Sequence, residues 1–98
     1  MVRRLNGSRQ TQSLLALMAR QPRAWQYGYE LSKETGLRSG TLYPLLIRLS
    51  DQGLLESKWL EPERPGRPPR HAYRLTPDGL AFARAASAGR RKLREATT

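Results

Sequence analysis

The chain has 98 residues, enough for one domain core and little more. Its 18 lysines and arginines against 8 acids give a formal net charge of +10, a field that draws polyanions and repels cationic partners. The lack of cysteine excludes disulfides and thiolate metal sites, and the longest apolar run, Leu14 to Met18, is too short to span a bilayer. No apolar stretch follows the basic N-terminus as a signal peptide would require, so a cytoplasmic chain is expected. An acidic membrane surface would need a strongly amphipathic segment behind the charge, which leaves nucleic acid as the favoured partner and no membrane.

Residues 1–8 read as a basic arm. A first helix is expected from Arg9 to Arg20, with Leu14, Leu15, Leu17 and Met18 on one face and Pro22 closing it. A shorter helix follows from about Tyr27 to Thr35, with Tyr27 and Leu31 one turn apart on its buried side; Gly36 supplies the left-handed residue that ends it. The third helix has the clearest period, because Leu42, Leu45, Leu46 and Leu49 recur at i, i+3, i+4 and i+7. That stripe leaves Gly40, Pro44, Ile47, Arg48 and Asp51 pointing away, with Thr41 and Tyr43 on its flanks. Pro44 leaves two starts open. With Thr41 as N-cap the proline falls in the first turn, where its missing N–H is an orphan anyway; a start at Ser39 forfeits about one backbone hydrogen bond.

After Gly53, Leu54 to Leu60 and His71 to Leu75 read as two strands, with Leu55, Ser57 and Trp59 on one side and Tyr73 and Leu75 available to face them. Between them, four prolines and a glycine within Glu61 to Arg70 forbid a helix and favour an extended loop. Arg64, Arg67 and Arg70 recur there every third residue as a basic fringe. Trp25 and Trp59 are expected as core anchors.

The last helix opens on Thr76-Pro77-Asp78, a cap, a proline at the first helical position and an acid at the positive end of the dipole. It continues toward Leu93, with Gly89 as a weak point, and Phe82, Ala86, Gly89 and Leu93 form a stripe suited to close approach of another helix. With Leu80, these residues are the expected homodimer contacts. Arg90-Arg91-Lys92 with Arg94 is expected to be a frayed basic tail.

Two helices joined by a tight glycine turn, then a hairpin with a basic loop, make a winged helix-turn-helix: a mainly α fold with a small β-hairpin wing and a C-terminal dimerisation helix. Residues 9–76 would form the DNA-binding domain, and residues 77–98 the dimerisation helix and tail. Docking in a major groove requires an apolar underside and a tip of small or polar residues that can approach base edges. Leu42, Leu45, Leu46 and Leu49 meet the first demand; Ser39, Gly40 and Thr41 meet the second, at a helix N-terminus that attracts phosphate. Arg38, just ahead of them, Tyr43 through its hydroxyl, and Arg48 through its guanidinium complete the candidate set on this helix, while Arg64, Arg67 and Arg70 serve from the wing. His71 has no companion ligand, so neither metal nor cofactor is expected. The acids are scattered, and there is no glycine-rich phosphate loop or nucleophile elbow, which speaks against an enzyme.

Three segments resemble the PadR family of transcriptional regulators in order and spacing. They are Tyr27-Gly28-Tyr29-Glu30-Leu31; Gly40-Thr41-Leu42-Tyr43-Pro44-Leu45-Leu46 with Arg48-Leu49; and Gly53-Leu54-Leu55. The stretch Gly66-Arg67-Pro68-Pro69-Arg70-His71-Ala72-Tyr73-Arg74-Leu75-Thr76-Pro77-Asp78-Gly79 is similar to the same family's wing. The resemblance implies a dimer with crossing C-terminal helices, two recognition helices on a palindromic operator, and repression that a small-molecule effector can relieve. It implies DNA contacts by Ser39, Gly40, Thr41 and Tyr43, with Arg67 and Arg70 near the minor groove or phosphates. The short last helix places the chain with the family's smaller subgroup. A winged-helix module that binds protein is the alternative; RNA binding is disfavoured because no aromatic platform for stacking single-stranded bases is visible.

Overall fold

The computed structural model describes residues 9–62 and 64–97, with side chains described as far as Gly89. The expected N-terminal arm, residues 1–8, lies outside the described residues, as does the side chain of Leu93.

Helix α1 (Arg9–Ala19) buries Leu14, Leu15 and Met18, with Leu17 packed at the core's margin. It stops one residue short of Arg20, whose N–H reaches back three residues to the Leu17 carbonyl. The tightened turn ends the helix before Pro22.

The expected two-stranded patch is a three-stranded antiparallel sheet, because a short strand, β1 (Gln26–Tyr27), adds to its edge. Tyr27 is therefore extended, with φ −89° and ψ 148°, and precedes helix α2 (Gly28–Thr35) where the sequence placed it on the helix's buried side. Two residues are too few for an alternating pattern, so the helical reading had no competitor at this position. Leu31 is buried as expected, and Gly36 closes α2 at φ 77° with its N–H on the Ser32 carbonyl. Side chains stiffen the turn beyond it. Ser32 Oγ donates to the Leu37 carbonyl at 2.6 Å, and Thr35 Oγ1 donates to the Leu31 carbonyl while accepting from Leu37 N–H.

Helix α3 (Ser39–Asp51) takes the earlier of the two possible starts, with Arg38 as its N-cap. The N–H groups of Thr41 and Leu42 both bond the Arg38 carbonyl, at 2.9 and 2.8 Å. Pro44 thus lies inside the helix and deprives the Gly40 carbonyl of its i+4 donor. Gly40 and Pro44 are both exposed, so water can serve that carbonyl in place of the missing N–H. Leu42, Leu45, Leu46 and Leu49 are all buried. The helix closes on a Schellman turn, Leu54 N–H to Leu49 O and Gly53 N–H to Ser50 O, around Gly53 at φ 77°.

Strands β2 (Leu55–Leu60) and β3 (Arg70–Leu75) pair antiparallel with Leu55 opposite Leu75, Ser57 opposite Tyr73 and Trp59 opposite His71. This is the facing expected from alternation. The tryptophans depart from it as core anchors. Trp59 is 65% exposed, because the hairpin carries it past the end of the core that Leu55 and Leu75 join. Trp25 is half-buried outside the core, with the Lys58 ammonium 4.4 Å and the Arg74 guanidinium 4.2 Å from its ring. Arg74 also pairs with Glu56 at 3.2 Å.

Helix α4 (Pro77–Thr97) begins where Thr76 predicts. Thr76 Oγ1 accepts from Gly79 N–H at 2.9 Å and donates to the Gly53 carbonyl at 2.7 Å, so the cap also ties α4 to the turn that ends α3. The first half of α4 packs along α1, with Ala83 buried and Leu80 and Phe82 against the core. Its backbone stays helical through Gly89 and through the segment expected to fray.

Candidate nucleic-acid interface

The leucine stripe turns one face of α3 inward, and everything at 100° intervals around it is left to solvent. Ser39, Gly40, Tyr43, Pro44, Ile47, Arg48 and Asp51 are exposed, Thr41 is half-buried, and Arg38 stands exposed just ahead of the helix. No Cβ-sized obstacle approaches Gly40 within 4 Å, so the tip of α3 is open. Neither Arg38 nor Arg48 forms a salt bridge among the described residues.

Tyr43 has two surfaces. Its ring lies against the α-carbon side of Gly28, where a Cβ would come within 2.8 Å of the ring's Cζ, yet the residue stays 37% exposed. Gly28 is thus required for room, and it seats the tyrosine at the junction of α2 and α3.

The wing arginines separate into two kinds. Arg64 and Arg67 are exposed on the loop, which turns at Gly66 with φ 86°. Arg70 belongs to β3, half-buried, with its guanidinium 3.6 Å from the Tyr27 ring. It is anchored to the sheet at the base of the fringe, with less freedom to reach outward than the other two.

An aromatic run on the wing escaped the sequence reading. Trp59 stacks on His71 at 4.3 Å and 10°, His71 leans on Tyr73 at 4.6 Å, and Tyr73 shares a 3.0 Å hydrogen bond with His71 Nδ1. Burial holds the Tyr73 phenol above its ordinary value, and the neighbouring Tyr43 hydroxyl adds to the shift. The run joins β2 to β3 along one face of the wing. Positions 59, 71 and 73 lie on one face by alternation, which is the signal that could have shown it. Tyr29, on the first turn of α2, was also passed over; it is 70% exposed, with the Lys33 ammonium 5.6 Å from its ring.

The expected dimer contacts are divided. Leu80 and Phe82 are partly committed to their own core, Ala86 is half-buried, and Gly89 is open with nothing within 4 Å of a Cβ. Among the described residues, no group of three or more acidic or histidine side chains could hold a metal ion, and no helix is long and apolar enough to cross a membrane.

Residues 14–85 match the model of the transcriptional regulator PadR-like family. The chain belongs to this family of transcriptional regulators. A PadR-like transcription factor from Bacteroides fragilis, known by X-ray structure, is 31% identical, with 91% of this chain and 89% of that one covered at a TM-score of 0.72. A PadR family regulator from Clostridium difficile is 24% identical over 87% of this chain and 91% of its own, with a TM-score of 0.73, and so shares the fold. PcaV, a transcriptional regulator from Streptomyces coelicolor solved with its natural ligand, has the same fold at 20% identity and a TM-score of 0.75, covering 94% of this chain and 61% of that one. No curated protein matches. In this PadR-like chain, every candidate DNA contact from Arg38 to Arg70 lies inside the matched segment, whereas Ala86, Gly89 and Leu93 lie beyond it.

Proposed function

We propose that this chain is a dimeric repressor that reads a palindromic duplex operator, with the tip of α3 in the major groove and the wing on the flanking backbone. The observation that carries the reading is the open outer face of α3, backed by four buried leucines and flanked by Arg38 and Arg48. Ser39, Gly40 and Thr41 approach base edges, Tyr43 offers its hydroxyl to a phosphate, and Arg48 suits either a guanine edge or a phosphate. Arg64, Arg67 and Arg70 follow the sugar-phosphate rail. The dimer forms through the part of α4 beyond Ala83, where Ala86, Gly89 and Leu93 recur on one side, with Leu80 and Phe82 at its margin. Relief by a small molecule belongs to this proposal on the family resemblance, PcaV being a regulator solved with its ligand.

The test is salt-dependent binding to a duplex selected from a random-sequence pool. With about six phosphates neutralised, log affinity falls against log salt with a slope near −5; a slope near zero contradicts the reading. Replacing Arg64 and Arg67 together by alanine should flatten the slope by roughly 2 while the melting temperature and the dimer stay unchanged, because both side chains are exposed. A protein-binding module would show no such change.

Gly28→Ala checks the seat of Tyr43. The new methyl group collides with the phenol ring, a movable side-chain end, so the ring swings away while the fold survives. Operator affinity should fall about tenfold, on the order of one lost charge-assisted contact, with stability changed by about 1 kcal/mol or less. Unaltered affinity would remove Tyr43 from the interface.

A further inference from the structure

Ile47 lies on the face of α3 that reads DNA, yet it has no part in the polar contacts assigned to that face. It is 59% exposed, and Pro44 and Tyr43, one turn before it, are exposed too. Together they make an apolar ridge along the outside of α3, bordered by Arg48 and leading back to the open tip at Gly40. Neither local stability nor solubility accounts for a large β-branched residue there. Isoleucine is a poorer helix former than leucine, lysine or glutamate, and its apolar surface stays wet. On a chain of net charge +10, the occupant of a ridge flanked by guanidinium groups is polyanionic outside and apolar at the point of contact. Duplex DNA meets both conditions in its major groove, where the thymine 5-methyl is an apolar feature that A·T and T·A pairs carry, at different positions, and G·C and C·G pairs lack.

We infer that Ile47 is a specificity-determining residue that covers a thymine methyl in each half-site, with Pro44 completing the contact. The inference rests on the operator-binding reading above. Arg48 is one residue further along the helix, so the thymine lies beside the phosphate or guanine that Arg48 takes. Ile47 thus adds discrimination for an A·T pair at a position where no side-chain hydrogen bond is required.

The experiment uses the full chain and the selected duplex, with thymines replaced one position at a time, in both half-sites, by deoxyuridine. This change deletes the methyl and leaves base pairing intact. Wild-type affinity should fall about fourfold per half-site at one thymine position, the amount expected for one buried methyl group. In Ile47→Ala the same replacement should change affinity by less than about twofold, and Ile47→Val should fall between. The inference is overturned if no thymine position responds in the wild type, if Ile47→Ala responds as strongly as the wild type, or if Ile47→Ala changes the oligomeric state and leaves the deoxyuridine effect intact. Failure to select or bind any duplex would instead overturn the operator-binding reading. The two failures are distinguished by whether unmodified DNA binds.

Discussion

Gly79→Ala should lower the melting temperature by roughly 12 °C or more, the equivalent of about 3 kcal/mol in a domain of this size. Gly79 occupies the third helical position of α4, two residues after Pro77, and its backbone has no positive φ to demand glycine. Its requirement is space. A Cβ there would run into the Leu54 carbonyl oxygen and come within 2.9 Å of the Leu54 carbonyl carbon. Both atoms are backbone, so no rotamer change relieves the overlap. Helix α4 must move away, and three things go with it: the Thr76 N–H bond to Leu54 O, the Thr76 hydroxyl bond to Gly53 O, and the seating of Ala83 against the core. Arg84→Ala, in the same helix, is the control. Arg84 is exposed, so its truncation should alter stability by about 0.5 kcal/mol or less. If both variants melt within a few degrees of the parent, α4 does not sit on Leu54 as described.

Leu46→Ala should cost about 3–5 kcal/mol, against a total stability on the order of 5–15 kcal/mol for a small domain. Leu46 is fully buried and packs among leucines and a methionine drawn from α1, α2 and α3. Its removal leaves a cavity that three helices would have to close together. Ile47→Ala, one residue along, removes a side chain of similar size from the opposite face and should alter stability by no more than about 0.5 kcal/mol. Chemical denaturation of the two variants tests the orientation of α3 directly: Leu46 supports the fold, and Ile47 faces outward. Equal losses would mean that the helix is rotated from the position described.

The orientation of α3 was legible in the sequence because four leucines at helical spacing admit one buried face. The cap at Thr76 and the left-handed closure at Gly36 were legible for a similar reason, each being a local pattern with a local cause. What stayed hidden depends on residues distant in the chain. β1 is two residues long and has meaning only as a partner of β3, so Tyr27 read as helix. Trp59 is the residue type that cores favour, and alternation correctly set its face, but only the length of the hairpin decides whether that face still has a core beneath it. The contacts of Gly28 with Tyr43, and of Gly79 with Leu54, are through-space approaches that no window of sequence contains. In the candidate interface, the residue types at the tip of α3 were readable, whereas the anchoring of Arg70 on Tyr27 appears only once β1 pairs with β3, and the aromatic run from Trp59 to Tyr73 only once β2 and β3 are in register.

Chemical protection of guanine N7 on the selected duplex probes the seating of α3 most directly, because N7 is accessible only from the major groove. Two patches of protected N7 atoms, centred about 10 base pairs apart on one side of the duplex, are the predicted result. Tight binding that leaves every N7 reactive would contradict it, since the face of α3 opposite its leucines would then be pointing somewhere other than into DNA.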